Sequence, residues 1–407
     1  MKVKSTLVIS LYIISFLLIF CLYPGTFPYI SLVIAFFLFG TLMLQNPGKI
    51  KKDILLFLLC LLFIIEFLVS LLISVNEIKH FVYAISYCSI IISISKFSIT
   101  RKRIDSLVKI ILIAAFIGGP IIGIIQLVNG EYIFNSGLID NESYFMTTII
   151  SNANHANSNY VAIGMLFCVT LAGYLFIRSR KSIYAIAFIF AAICTLLTYS
   201  RTAIFILIVE IVLYTLLTIK KFDNNKRNNR IKVLIFLAVI IIFFITYDFI
   251  SNLVLGYFLE GNVEKILSIK QSSTLSLRSN QWSASIELFL NGGWKSIIGY
   301  GDNAPIMLGS ISGRVMSAHN FILGRLSETG IIGLIIAISI YIFTFKETIV
   351  SWKKVEKSDL WVNISTIGIL ICYLMISNIT WELIIILTLF NVLNRLNKQH
   401  EKRSNND

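Results

Sequence analysis

Charge is scarce in this chain: Asp, Glu, Lys and Arg make up 14% of its 407 residues and hydrophobic residues 57%. A soluble domain of this size carries roughly 25% charged residues. No water-bounded core can absorb so much apolar surface, which excludes a cytosolic enzyme, a secreted disulfide scaffold and a disordered tail. Paired cysteines are also missing. Cys21, Cys60, Cys88, Cys168, Cys194 and Cys372 lie far apart inside apolar runs, with no CxxC and no Cys/His spacing. They read as small hydrophobes, and neither a disulfide framework nor a structural metal site is expected. Missing too are a Walker A loop, a GxSxG elbow, an HExxH helix and a DxD pair. Nucleotide hydrolysis and metal-dependent sugar transfer therefore have no visible apparatus, and neither metal nor cofactor is expected.

What remains is a series of continuous apolar runs. A helix crosses the hydrocarbon core with about 17–25 mainly apolar residues. Such runs fall near 6–22, 27–44, 54–74, 81–95, 107–128, 158–177, 183–199, 202–219, 232–250, 330–345, 361–377 and 380–394. They are continuous rather than alternating, so helices are expected and not a barrel. The fold class is all-α: a polytopic integral membrane protein of about twelve transmembrane helices. The first run follows Met1-Lys2-Val3-Lys4 without a small-residue cleavage site and reads as a retained span.

The balance is basic, 35 Lys and Arg against 21 Asp and Glu, which elsewhere would suggest nucleic acid. Its distribution argues otherwise. With an inside N-terminus and alternating spans, 27 of the 35 basic residues fall on inside segments. That bias is the positive-inside signature, so both termini are expected in the cytoplasm and no nucleic-acid partner is expected. Two outside segments have room for a site: 129–157, with Glu131, Asp140 and Glu142 but no Lys or Arg, and the large loop 251–329. The organisation expected is N-terminal helices over 1–184, a core over 185–345 holding that loop, and C-terminal helices with a cytoplasmic tail over 346–407.

The chemistry-bearing residues gather on the outside. Arg201 breaks the charge rule in the short turn Tyr199-Ser200-Arg201, Arg278 stands in Ser-Leu-Arg-Ser-Asn-Gln-Trp, and Arg314 lies five residues before His319. The guanidinium keeps its charge and grips phosphate oxygens with a planar fork of donors, which suits a lipid pyrophosphate. For any one of them, anchoring to lipid headgroups is the plainer reading. Of four histidines, only His319 leads into a helix through an apolar stretch, Phe321-Ile322-Leu323-Gly324. An imidazole can take a proton from a hydroxyl near neutral pH, although alone it reads more simply as a hydrogen-bonded interfacial residue. Glu328 is a candidate to orient it, though the spacing puts the two on different helix faces. Gly330 and Gly333 by themselves signal close helix packing. Glu66 and Glu210 fall near mid-span, with Glu382 near the outer end of the last span. They are either an ion pathway or paired packing contacts.

Three stretches together carry a resemblance: Leu197-Thr198-Tyr199-Ser200-Arg201-Thr202-Ala203; Arg278 with Trp282 and then Gly299-Tyr300-Gly301; and His319-Asn320, nine residues, Gly330-x-x-Gly333. In this order around one outer loop, over roughly 185–345, the chain resembles the bacterial O-antigen ligase and O-antigen polymerase superfamily. The resemblance implies an inverting, metal-independent glycosyltransferase of the bacterial cytoplasmic membrane, working on its extracytoplasmic side in lipopolysaccharide or other surface-polysaccharide biosynthesis. Its substrate would be an undecaprenyl-pyrophosphate-linked oligosaccharide, and a chain-length regulator is a possible partner by family analogy. Carried over, Arg201 and Arg278 hold and neutralise the leaving pyrophosphate, and His319 activates the acceptor hydroxyl. Arg314, Asn320 and Glu328 complete the expected substrate-binding set, Arg314 without a firm motif equivalent. The intact Gly299-Tyr300-Gly301 and the long approach to His319 look more like a polymerase than a ligase. A polysaccharide flippase would show paired broken helices and a repeat between halves, and none is visible.

Overall fold

The computed structural model describes residues 2–22, 28–44, 53–73, 76–97, 100–128, 158–198, 200–222, 274–313, 315–376 and 379–404. The chain runs through α1 (Lys2–Leu22), α2 (Pro28–Leu44), α3 (Ile54–Ile73), α4 (Glu77–Phe97) and α5 (Arg101–Phe116). A π-helical turn, Ile117–Ile121, leads into α6 (Ile122–Val128), then come α7 (Ser158–Ser179), α8 (Ser182–Leu197) and α9 (Arg201–Phe222). After the large loop follow α10 (Thr274–Leu290), α11 (Lys295–Ile298), a 3-10 turn at Gly301–Asn303 and α12 (Ala304–Ser312). The last elements are α13 (Phe321–Ser351), α14 (Lys357–Cys372), a 3-10 turn at Tyr373–Met375 and α15 (Trp381–Ser404).

Among the described residues all regular structure is helical, and six helices are long and apolar enough to cross a membrane: 54–73, 77–97, 101–125, 159–179, 321–351 and 357–375. Shorter apolar helices cover Leu7–Cys21, Ile30–Thr41, Ser182–Leu197 and Thr202–Thr218. This is a multi-pass membrane protein. The run expected at 232–250 lies outside the described residues, as do the acidic segment 129–157 and the first part of the large loop. The helix expected at 330–345 begins earlier, at Phe321, because Asn320 caps it there.

The helices gather into two compact units that interleave along the chain. The first comprises 1–118, 275–351 and 373–407. In it α1 packs on α2 and α5, α4 on α2, α3 and α15, and α13 on α3 and α11. Buried hydroxyls stitch the apolar faces: Tyr12 Oη donates to Ser93 O at 2.8 Å and Ser86 Oγ to Ser31 O at 2.7 Å. In a medium without water, such donors must find protein acceptors. The second unit comprises 119–274 and 352–372. There α7 packs against α8, α9 and α14, with Trp361 Nε1 donating to Thr170 O at 2.9 Å over Gly173. Glu210 is buried in this unit beside Ser365 and Gly368, a packed position within its helix.

Candidate active site

In the first unit, α10 carries Arg278 at its start and buries Gln281, Ala284, Ser285 and Leu288 on one face. The three- and four-residue spacing is that of a single helical stripe. Ala284 and Leu288 pack with Leu308 of α12 and with Ala318, the residue before His319. Gln281 Nε2 adds a 2.8 Å hydrogen bond to Ser312 Oγ. The helix bearing Arg278 thus rests on the segment bearing His319.

Beyond α10, the Gly299-Tyr300-Gly301 turn crosses α13 backbone to backbone. Gly299 has φ +83° and lies against the Glu328 carbonyl and the Thr329 nitrogen, where a Cβ would collide with both. Gly330 breaks α13 with φ +66° and ψ −159°, and a Cβ there would collide with Ile297 O. Only glycine takes this conformation without steric cost, and only glycine lets two backbones approach so closely. Tyr300 N–H donates to Ser327 O at 2.9 Å and locks the crossing. The Gly-Tyr-Gly and Gly-x-x-Gly stretches are therefore the two halves of one joint, a role that the bare spacing of Gly330 and Gly333 does not reveal.

His319 sits half-buried just before α13 with φ +46°, a left-handed conformation uncommon for a residue with a Cβ. Its neighbours hold it there. Ala318 is buried on one side. On the other, Asn320 Oδ1 accepts from Leu323 N–H at 3.0 Å as the helix cap, while its Nδ2 donates to Leu374 O at 3.0 Å. Phe321 meets the ring of Tyr373 edge-on at 6.1 Å. Arg278 reaches the same 3-10 turn from α10, its Nη1 donating to Met375 Sδ at 3.4 Å. Arg278 and the His319-Asn320 pair thus share the turn Tyr373–Met375 as a common neighbour.

Just inside the helix, Arg325 is 4% exposed and pairs with Glu66 of α3 and with Glu328 one turn on. Glu66 is therefore a paired contact rather than an isolated mid-span acid, and Glu328 is engaged by Arg325. Sequence reasoning did not single out Arg325. Its signal was a carboxylate three residues along the same helix and an uncompensated acid in another span. Sequence reasoning also passed over Asp302, which gathers the start of α4: Asn76 Nδ2 at 2.6 Å, Lys79 Nζ at 3.3 Å and His80 Nε2 at 3.0 Å. Burial by itself raises this carboxyl. The His80 hydrogen bond and charge, with Lys79 and Asn76, outweigh it and hold Asp302 well below the usual carboxylate range.

In the second unit, Ser200 caps α9 by accepting from Ala203 N–H at 3.4 Å and donates to Asn159 Oδ1 at 2.6 Å. This fixes Arg201 as the first residue of its helix. The Arg201 side chain and Arg314 lie outside the described residues, as does His155. Among the described residues no group of three or more His, Cys, Asp or Glu is placed to hold a metal ion.

Residues 186–338 match the O-antigen ligase family. That segment contains Arg201, Arg278, Arg314, His319, Asn320, Glu328 and the Gly299–Gly330 joint. That match, over a little more than a third of the chain, supports the O-antigen ligase and polymerase superfamily. The match suggests a glycosyltransferase-like membrane enzyme of polysaccharide assembly. No curated protein matches the chain in sequence.

Proposed function

We propose that the protein is a surface-polysaccharide polymerase. It transfers a growing glycan from undecaprenyl pyrophosphate to the next lipid-linked repeat unit, on the extracytoplasmic side of the bacterial inner membrane. The observation that carries the reading is the shared turn: Arg278 bonds Met375 and Asn320 bonds Leu374, so a phosphate-binding cation and a hydroxyl-activating histidine belong to one neighbourhood. In this reading the acceptor hydroxyl attacks the anomeric carbon on the face opposite the pyrophosphate. The new C–O bond forms as the bond to the phosphate oxygen breaks, inverting the centre. His319 takes the hydroxyl proton. Arg201 and Arg278 neutralise the charge that develops on the departing pyrophosphate, and Arg314 belongs to the substrate-binding set. Asn320 caps α13 and Glu328 lies about two turns along it, and their engaged side chains suit them to positioning the site.

A ligase reading, with lipid A-core as acceptor, is favoured by the description of the matched family. Purified protein incubated with one undecaprenyl-pyrophosphate repeat unit, with and without lipid A-core, separates the two. A ladder from the lipid-linked unit alone is expected. Product only when lipid A-core accompanies a lipid-linked glycan would make the protein a ligase. No transfer from an intact, matching unit would overturn both and favour a transporter. A chain-length regulator belongs to the polymerase reading, and its addition should narrow the ladder.

A further inference from the structure

At the opposite end of α13 and α15 from His319, a cavity of about 330 Å³ opens between the start of α3, the end of α13 and the last turns of α15. Its volume is within the range of small-molecule sites, about 300–1,000 Å³. Phe343 and Phe390 contribute apolar walls, and Ile54 stands at its edge. The charged lining is balanced: Asp53 and Glu347 against Arg395 and Lys398. Asn391, Arg395 and Lys398 follow one another at helical spacing on one face of α15, so their donors form a ladder.

Asn391 supplies the observation that points to a ligand. It is 7% exposed and lines the cavity, and its Nδ2 has no hydrogen-bond partner among the described residues. Buried amide donors are nearly always satisfied, so an acceptor is expected in the cavity. Arg395, one turn on, gives one Nη2 hydrogen bond to Ser95 O at 3.2 Å. A guanidinium has five donors, so that bond leaves capacity for a phosphate. On the other wall, Asp53 Oδ1 caps α3 through Leu55 N–H at 3.1 Å, and Glu347 meets Lys398 Nζ at 2.6 Å. Carboxylates and donors therefore face one small space from different helices.

We propose that this cavity binds a phospholipid headgroup bearing both a phosphodiester and a primary ammonium, of the phosphatidylethanolamine type. The phosphate accepts from Asn391 Nδ2 and Arg395, and the ammonium donates to Asp53 and Glu347. A choline headgroup has no N–H to donate to those carboxylates. A glycerol headgroup brings a negative charge toward them with no cation in return. The acyl chains have a path outward, because Ile54, which lines the cavity, and Ile342, the residue before Phe343, are 63% and 62% exposed. The clustering of Lys346, Arg395, Lys398, Lys402 and Arg403 at this end assigns it to the cytoplasmic leaflet.

The test compares the full-length protein in nanodiscs of phosphatidylcholine alone with nanodiscs in which a minor fraction is phosphatidylethanolamine or phosphatidylglycerol. Thermal unfolding and native mass spectrometry are the readouts. Phosphatidylethanolamine is expected to raise the unfolding midpoint by several degrees and to remain bound at one molecule per chain, whereas phosphatidylglycerol does neither. Asp53→Asn with Glu347→Gln should erase that difference, and Asn391→Leu should cut retained phosphatidylethanolamine about tenfold, as loss of a hydrogen bond to a charged group implies. Equal behaviour of the three lipids with the unmodified protein overturns the proposal, and so does phosphatidylglycerol matching or exceeding phosphatidylethanolamine. Soluble phosphoethanolamine stabilising the protein as strongly as the lipid would make the site one for a free phosphoester and overturn the lipid assignment.

Discussion

Gly299 and Gly330 meet backbone to backbone, so closely that a Cβ on Gly330 would lie 2.7 Å from the Gly299 nitrogen. Both take positive φ, +83° and +66°. This contact fixes the angle between the Gly-Tyr-Gly turn and the broken helix that starts beside His319, and its geometry leaves no room for a side chain on either residue.

Gly330→Ala therefore meets strain and collision together. A residue held in a sparsely populated conformation costs about 1–3 kcal/mol, and the displaced backbone adds to it. Thermal unfolding in detergent should fall by several degrees and sugar transfer should be lost, with Gly299→Ala behaving alike. An unchanged midpoint with full activity in both variants would show that the joint is not needed.

Arg278→Ala and His319→Ala should each lower transfer by about 10²–10³, the range for losing one group that stabilises developing charge or moves a proton. Membrane insertion and abundance should be unchanged. Arg278→Lys should recover little, because an ammonium cannot reproduce the planar fork. Full activity in either alanine variant would sink the assignment of that residue.

Buried Arg325 separates two half-buried carboxylates, Glu66 and Glu328. Removing it alone, as Arg325→Met, leaves both uncompensated and should destabilise the protein by about 3–5 kcal/mol. Replacing all three by apolar residues of similar volume should restore most of that loss. If the triple variant is no better than the single one in chemical or thermal unfolding, the network has a role beyond charge balance.

Asp302 links acidity to stability. Its carboxyl is held below its ordinary value in the folded protein, so the folded state binds fewer protons there than the unfolded chain. The stabilisation is complete above the unfolded value of about 3.9 and drains away as pH falls toward the lower folded value. Asp302→Asn should be less stable at neutral pH and should lose less stability than the parent below about pH 4. Parallel unfolding midpoints across that acid range would contradict the role given to His80, Lys79 and Asn76.

The sidedness of the site is open to direct labelling. In a background lacking the six native cysteines, Ser310→Cys on exposed α12 should react with a membrane-impermeant maleimide from outside the inner membrane. Lys354→Cys should react only after the membrane is permeabilised. The reverse pattern would invert the orientation drawn from the charge bias.

Much of the architecture was legible because it is written locally. The apolar runs coincide with helices wherever the structure describes them, since a continuous stretch such as Ile54–Ile73 has no other way to satisfy its backbone in lipid. Arg278, His319, Asn320 and the paired glycines stood out through residue type and order. Partnerships did not. An ion pathway stayed open for Glu66 beside the packing reading until Arg325, from a helix hundreds of residues away, was placed beside it. Asp302 and His80 carried no motif, and their pairing depends on which helix end the Gly-Tyr-Gly turn reaches.

The sequence by itself determined that this is a helical, multi-pass membrane protein with a segment similar to the O-antigen ligase family. Hydropathy, charge bias and motif order are properties of the chain read in a line. The tertiary structure alone decided that Gly299 crosses Gly330, that Arg325 bridges two spans, and that Tyr373–Met375 joins Arg278 to Asn320. Apolar helices in lipid gain little from one another's hydrophobic faces, so their pairing is set by small residues and a few polar contacts. Those contacts join residues far apart in sequence, where no local pattern announces them.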